Sequence, residues 1–197
     1  MDELIAATAA APGCRLLSGT TVISVRFLPG DNHAQAAVLG VGLPWVSSPG
    51  KMAGSDPFVC WRSTQELIFI GLDAAPLRPL LESLAPGRHE LALATDLSEA
   101  LAVFELRGPG LDRWLHRLVD TSAVPKEAGC VSRCRFADIA VMLLRPAVDC
   151  MWLVVEQPLV PHVSDWLSYA HAGARVDHSA QASAGSALPM GPRPVRS

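Results

Sequence analysis

The sequence predicts an α+β fold of two successive halves, each an antiparallel sheet backed by helices. Short runs of apolar and β-branched residues, bounded by Gly, Pro and Asp, recur along the chain and are typical of strands. Between them, leucines at 3- and 4-residue spacing predict amphipathic helices. The order strand, helix, strand, strand, helix nearly recurs, with one additional closing strand in the first half. A chain of 197 residues is long enough to bury a substantial core.

The predicted domain boundaries follow changes in composition. Residues 1–19 are Ala-rich, contain a Pro12-Gly13 break and are predicted to form an N-terminal arm. The first α+β half covers 20–95 and the second covers 96–171. Residues 172–197 are rich in Ala, Ser, Gly and Pro and have almost no large apolar side chain. We therefore expect this C-terminal tail to be disordered on its own.

Within the first half, turn residues and apolar periodicity predict four strands and two helices. The strands are placed at 20–28, 58–62, 66–71 and 88–93, and the helices at 32–39 and from Asp73 to the Pro86-Gly87 stop. Asp31 is placed to cap the first helix. The Pro- and Gly-rich segment from Gly40 to Pro57 is predicted to be a long loop.

The second half begins with the most clearly patterned segment of the chain. A strand at 101–107 meets a Gly108-Pro109-Gly110 break, and Pro109 suits the first turn of a helix because its missing N–H costs nothing there. The remaining elements are a helix at 109–119, strands at 129–136, 138–144 and 151–156, and a helix at 159–171.

Composition favours a chain that binds other proteins. Half of the residues are hydrophobic, 18% are charged, and the mean hydropathy is +0.28. The longest apolar runs, at 139–144 and 151–155, are far shorter than the roughly 20 residues of a spanning helix. The Met-Asp-Glu start lacks the basic region of a signal peptide. We expect a cytoplasmic protein whose apolar surface meets a protein partner and not a membrane.

Charge and cysteine usage exclude two further classes. The net charge is −3 and the arginines are scattered, so no nucleic-acid surface is expected. The five cysteines are odd in number and form no Cys-x-x-Cys pair. Cys130 and Cys134 lack two further ligands at short spacing, so reduced, buried thiols are expected and a zinc site is not.

Three features of the sequence could carry chemistry, and each also has a structural interpretation. Asp96 and Ser98 could form half of a catalytic set, but closing a turn through local hydrogen bonds is favoured. His116 is interpreted as a surface or interface residue and not as a general base. Gly108-Pro109-Gly110 lacks the third glycine of a dinucleotide turn. The sequence therefore predicts no catalytic, cofactor-binding or metal-binding residue in this chain.

The tryptophans point to an interface. Five tryptophans accompany a single tyrosine, at positions Trp45, Trp61, Trp114, Trp152 and Trp166. Each could be a core residue, but tryptophan is also enriched at the centres of interfaces. Because Trp45 lies in the Pro- and Gly-rich loop, core and interface are equally good interpretations for it.

The segment from Asp96 to Gly110, DLSEALAVFELRGPG, resembles the folate-binding aminomethyltransferase superfamily. More narrowly, the chain resembles the gamma subunits of heterotetrameric sarcosine oxidases. The further stretches that carry this resemblance are Leu43-Pro44, Cys60 to Ile70, Gly129 to Leu144, and Trp152 to Leu167. The resemblance covers roughly residues 20 to 170 and implies two ferredoxin-like or aminomethyltransferase-like halves.

The resemblance also implies a role. It implies a non-catalytic gamma subunit that stabilises alpha- and beta-type flavoprotein subunits, and it leaves room for a small zinc-binding delta-type subunit. FAD, FMN, NAD and tetrahydrofolate are expected in those partners and not in this chain. Such complexes demethylate sarcosine oxidatively and pass the one-carbon unit to tetrahydrofolate.

Two alternatives remain open. One is a stand-alone folate-binding or aminomethyltransferase-like protein that uses the cleft between the halves, where Asp96 or Glu156 would contact the pterin. The other is a structural relative that serves an unrelated complex.

Overall fold

A computed structural model describes residues 3–5 and 12–185 of the chain. The strands are β1 Glu3–Ile5, β2 Gly13–Leu17, β3 Thr21–Phe27, β4 Met52–Gly54, β5 Phe58–Ser63, β6 Glu66–Gly71, β7 Ala92–Asp96, β8 Leu101–Arg107, β9 Cys130–Phe136, β10 Ile139–Ala147 and β11 Cys150–Glu156. The helices are α1 His33–Gly40, α2 Arg78–Ser83, α3 Leu111–Leu115 and α4 Val160–Gly185. Short 3-10 turns lie at Thr121–Ala123 and Gln157–Leu159.

The strands form two sheets in which every pairing is antiparallel. The large sheet has the order β1-β2-β8-β11-β10-β9, and the small sheet has the order β4-β5-β6-β3-β7. The predicted α+β class, with two antiparallel sheets backed by helices, is confirmed.

The sheets and helices stack in four layers. Helices α3 and α4 pack on the outer face of the large sheet, and α1 and α2 pack on the outer face of the small sheet. The inner faces of the two sheets pack against each other, and we call the core between them the inter-sheet layer. Because each sheet is covered on both faces, its strands are nearly continuous apolar runs, as in β11 and β6.

The N-terminal segment differs from the predicted arm. Residues 13–17 form β2, which pairs with β8 and so belongs to the sheet of the second half. Cys14 and Leu17 are buried on its two faces. The five residues of β2 show no clear apolar periodicity, so the sequence did not predict a strand. Pairing with β8 stabilises this strand. Residues 1–2 and 6–11 lie outside the described part of the chain.

The last helix is longer than predicted. Helix α4 continues to Gly185, whereas a helix ending at 171 and a disordered tail from 172 were expected. Residues 172–185 are Ala-rich, and alanine favours a helix although it adds little apolar surface to a core. The single glycine at 173 does not end this helix. The rest of the predicted tail, residues 186–197, lies outside the described part.

Several helices and strands also begin or end at residues other than the predicted ones. Strand β7 spans Ala92–Asp96 instead of 88–93, and the Ala94 N–H donates to the Leu84 carbonyl at 2.9 Å. Helix α2 begins at Arg78 because Asp73 accepts the Ala75 N–H in a local turn and does not cap a helix. Helix α3 is shorter than the predicted 109–119, and the predicted loop at 40–57 contains β4.

One local prediction is confirmed in detail. The Asp31 carboxylate accepts the backbone N–H groups of His33 at 2.9 Å and Ala34 at 3.3 Å, so it caps the first turn of α1. These bonds and the contact with His33 lower the pKa of Asp31 below its ordinary value, although burial opposes the shift.

Candidate functional site

Charged groups lie at both ends of the otherwise apolar inter-sheet layer. At one end, which we call the paired end, Arg15, Glu105 and Arg107 lie on the inward face of the large sheet. At the other end, which we call the open end, Arg62 of the small sheet lies near Arg133 and Glu156 of the large sheet. The two ends differ in how their charges are satisfied.

At the paired end, Glu105 is 8% exposed and fully engaged. Its Oε1 accepts hydrogen bonds from Arg15 Nε at 2.8 Å and lies 2.7 Å from Arg15 Nη2. Its Oε2 accepts from Trp152 Nε1 at 3.4 Å and lies 3.6 Å from Arg107 Nη2. Strand register explains the cluster, because Arg15 and Trp152 lie directly opposite Glu105 on the two neighbouring strands. The carboxylate therefore has no acceptor capacity left for a ligand.

Trp152 and Cys150 complete the paired end. The Trp152 ring meets Phe58 of the small sheet edge-to-face, with centroids 5.1 Å apart, and so joins the two sheets. Burial raises the pKa of the Cys150 thiol to about 11, although Arg107 opposes the shift. The thiol is neutral at pH 7 and lies 3.8 Å from Glu105 Oε2. It is a packing group and not a nucleophile.

At the open end, one carboxylate of the small sheet serves several donors. Glu66 Oε1 accepts from Ser24 Oγ at 2.6 Å, Arg26 Nε at 3.2 Å and Arg62 Nη1 at 3.3 Å. Two guanidinium groups thus share one carboxylate. Arg62 therefore keeps part of its positive charge and most of its N–H donors for other partners.

A cavity of about 120 Å³ opens between the sheets at this end. The cavity is lined by Arg62, Ile68, Leu101, Arg133, Ala140, Val141, Met142, Val154, Val155 and Glu156. Register places Arg133, Met142 and Val154 side by side on three neighbouring strands. Glu156 lies two residues beyond Val154 on the same strand and faces the same side of the sheet. Its Cα is therefore about 12 Å from the Cα of Arg133 by ordinary sheet spacings. The small side chain of Ala140 leaves space between them.

Arg133 is a cation without a partner in the described part of the chain. It makes no hydrogen bond or ion pair with any other residue of the described chain, whereas Arg135 on the same strand donates to the Asp138 carbonyl at 2.5 Å. Arg62 and Arg133 are not among the residues predicted from the sequence to carry a function. The available signal was an arginine two residues beyond a buried apolar residue, Cys60 or Val131, and therefore on the same face of its strand.

The residues weighed as candidates from the sequence lie elsewhere. Ser98 donates its N–H and its hydroxyl to Asp96 Oδ1 at 2.9 and 2.6 Å, and its Oγ accepts the Val22 N–H at 3.0 Å. Asp96 and Ser98 thus close a turn and tie it to β3, as expected. His116 is exposed on the solvent side of α3, opposite its apolar stripe. Neither Asp96 nor His116 lines the cavity.

The tryptophans divide between core and surface. Trp114 and Trp152 are buried, and Trp61 is half-buried. Trp45 is half-buried against Phe27, with ring centroids 5.0 Å apart, so its environment is mainly that of a core residue. Trp166 is 38% exposed on α4, where it meets His162 and Tyr169 edge-to-face.

The cysteines are free thiols, and burial raises the pKa of Cys14 to about 12 and that of Cys134 to about 11. In the described part of the chain, no group of three or more His, Cys, Asp or Glu side chains is arranged to hold a metal ion. The helices of that part include none that is both long and apolar enough to cross a membrane.

Comparison with solved structures identifies the fold. A chain of the heterotetrameric sarcosine oxidase from Corynebacterium sp. U-96, solved in complex with pyrrole 2-carboxylate, superposes with a TM-score of 0.76 at 23% identity, over 87% of this chain and 89% of that one. Aminomethyltransferase T of the glycine cleavage system from Bartonella henselae superposes with a TM-score of 0.55 at 11% identity, over 81% of this chain and 46% of that one.

Comparison of the sequence itself with protein-family models and with curated proteins returned no match. The structural neighbours share the fold at low identity. The chain therefore has the fold of a sarcosine oxidase subunit, which also occurs within a glycine-cleavage aminomethyltransferase.

Proposed function

We propose that this chain is a non-catalytic, gamma-type subunit of a sarcosine oxidase-like complex, in which it stabilises larger flavin-bearing subunits. The observation that carries the proposal is the superposition on nearly the whole of one chain of a heterotetrameric sarcosine oxidase. The superposition covers 87% of this chain and 89% of that one, and this extent supports a similar role. That the chain works with protein partners is supported by the heterotetrameric state of that neighbour.

The candidate site supports this role. The buried carboxylate at the paired end is neutralised by arginines of the same chain, and the Cys150 thiol beside it is neutral at pH 7. No proton or electron transfer follows from such an arrangement. The cavity at the open end, about 120 Å³, is smaller than the 300–1,000 Å³ typical of sites that enclose drug-sized ligands. In this proposal, flavins and reduced folates are ligands of the partner subunits.

A stand-alone folate binder remains the second candidate because Glu156, one of the two carboxylates considered for a pterin contact, lines the inter-sheet cavity. The other, Asp96, is engaged by Ser98 in its turn. Binding of a reduced folate to the isolated chain at submicromolar concentration would favour this candidate over the accessory subunit.

The deciding experiment is a mild affinity purification of the tagged chain from its native host. Partners are identified by mass spectrometry, and the absorbance of the eluate is read in the flavin band. We expect two or three larger proteins at stoichiometric yield and a yellow eluate that is bleached anaerobically by sarcosine or a related secondary amine. The same tag on an unrelated soluble protein is the control.

The isolated chain provides the complementary measurement. Expressed alone, it is expected to be colourless and inactive in amine oxidation. A flavin spectrum in the purified chain, or its elution without partners from the native host, contradicts the proposed function.

A further inference from the structure

The cavity at the open end combines positive charge with an apolar wall. Arg62 shares its carboxylate partner Glu66 with Arg26, and Arg133 has no partner in the described chain. The apolar part of the lining is formed by aliphatic and thioether side chains, namely Ile68, Leu101, Met142 and Val154. An anionic head group attached to an apolar body matches both parts of this lining.

Charge geometry selects the kind of anion. A guanidinium group offers paired N–H donors that match the two oxygens of a carboxylate. Glu156 lies at the far side of the cavity from Arg133 and carries no hydrogen bond or ion pair within the described chain. Its negative charge would repel a second anionic group of the ligand at that side. The lining therefore favours a monoanion over a dianion.

Volume limits the ligand to a small molecule. The cavity of about 120 Å³ is close to the roughly 150 Å³ of an apolar cavity that admits benzene. A body of about four or five carbon atoms fits this space.

We propose that the open end is a binding site for a small aliphatic monocarboxylate. The carboxylate lies between Arg62 and Arg133, and its aliphatic part packs against Leu101, Met142 and Val154. The site is formed by one chain alone, so it does not depend on the partners of the proposed function.

The test is a titration of the full-length chain that carries ¹³C-methyl methionine. Butyrate, succinate and n-butylammonium are added at equal ionic strength, and the methyl resonances are followed. Met142 lines the cavity, whereas Met151 of the neighbouring strand packs on the opposite, helix-covered face of the same sheet. We expect butyrate to shift the Met142 resonance in a saturable way and to leave Met151 unmoved, with succinate weaker and n-butylammonium inactive.

Matched variants assign the charges. Arg133→Gln is expected to weaken butyrate binding about tenfold, the size of one lost charge-assisted hydrogen bond. The control is Arg135→Gln, on the same strand but already bonded to Asp138, which should bind butyrate as the wild type does. Glu156→Gln is expected to raise the affinity for succinate towards that for butyrate.

Three outcomes overturn the proposal. One is a Met142 resonance that butyrate does not move, and another is equal affinity in Arg133→Gln and the wild type. The third is n-butylammonium binding as tightly as butyrate. Because the titration uses the isolated chain, its failure leaves the accessory-subunit function standing, and a chain that has no partners can still bind the carboxylate.

Discussion

The two ends of the inter-sheet layer use the same residue types for different purposes. At the paired end, Glu105 is held between Arg15 and Trp152 on neighbouring strands, and the aromatic contact with Phe58 closes the layer. At the open end, Glu156 lies opposite Leu101, and Arg133 lies opposite Met142, so neither charge meets a complement across the strand. Strand register decides which charges are neutralised within the chain and which remain for a ligand.

This difference carries an energetic consequence. Removing one partner of a buried ion cluster lowers the free energy of unfolding because it leaves a desolvated, uncompensated charge. Exposed charges without partners contribute little to stability, and their loss is tolerated. Substitutions at the paired end should therefore change the free energy of unfolding, whereas substitutions at the open end should change binding.

The largest effect is expected from Trp152→Ala, which removes the side chain that joins the two sheets at the paired end. A buried tryptophan truncated to alanine costs about 3–5 kcal/mol of unfolding free energy through lost burial and a new cavity. Urea denaturation measures the loss. Trp166→Ala on the surface of α4 is the control and should cost less than about 1 kcal/mol. Comparable losses for the two variants would contradict the central role of Trp152.

Glu105→Gln tests the ion cluster directly. The amide keeps the shape of the side chain but leaves Arg15 and Arg107 without their shared charge. Because Arg15 is 42% exposed, we expect a cost of about 2 kcal/mol, below the range for a fully buried pair. The matched change at the open end, Glu156→Gln, should alter stability by less than about 0.5 kcal/mol. Equal costs for the two variants would remove the distinction between the ends.

Alkaline pH should lower the free energy of unfolding because the Cys150 thiol at the paired end ionises. The neutral thiol is favoured in the folded state, where its pKa is about 11, against about 9 when unfolded. Its contribution to stability is thus present below pH 9 and is lost as pH rises through 11. Between pH 8 and pH 10 the loss is about 1 kcal/mol. The stability difference between the wild type and Cys150→Ala should shrink by that amount over this interval and stay constant from pH 6 to pH 8.

The smallest effect on stability is expected from Ala140→Val at the open end. The added methyl groups enter the cavity and lie at an exposed position, so the free energy of unfolding should change by less than about 0.5 kcal/mol. The same change narrows the space for a carboxylate ligand. A destabilisation of 2 kcal/mol or more, measured by thermal unfolding, would show that this end is as tightly packed as the other.

Most of the secondary structure could be predicted from local sequence. Most strands of the second half are apolar runs bounded by turn residues, and Asp31 and the Asp96–Ser98 pair act through neighbours two or three residues away. Interactions of this kind depend on the sequence alone. The prediction was wrong for β2, where pairing with a distant strand compensates for a weak local pattern. It was also wrong for residues 172–185, because an Ala-rich composition is compatible with both a helix and a disordered tail.

The sequence by itself determined the class of the fold and the order of most of its elements, because these follow from apolar periodicity. Only the tertiary structure decided that the two sheets pack face to face, that β2 crosses to the second sheet, and that Glu105 is neutralised while Arg133 is not. Those outcomes depend on strand register. A shift of one residue moves every side chain of a strand to the other face, and no local pattern specifies which residue of a distant strand lies opposite.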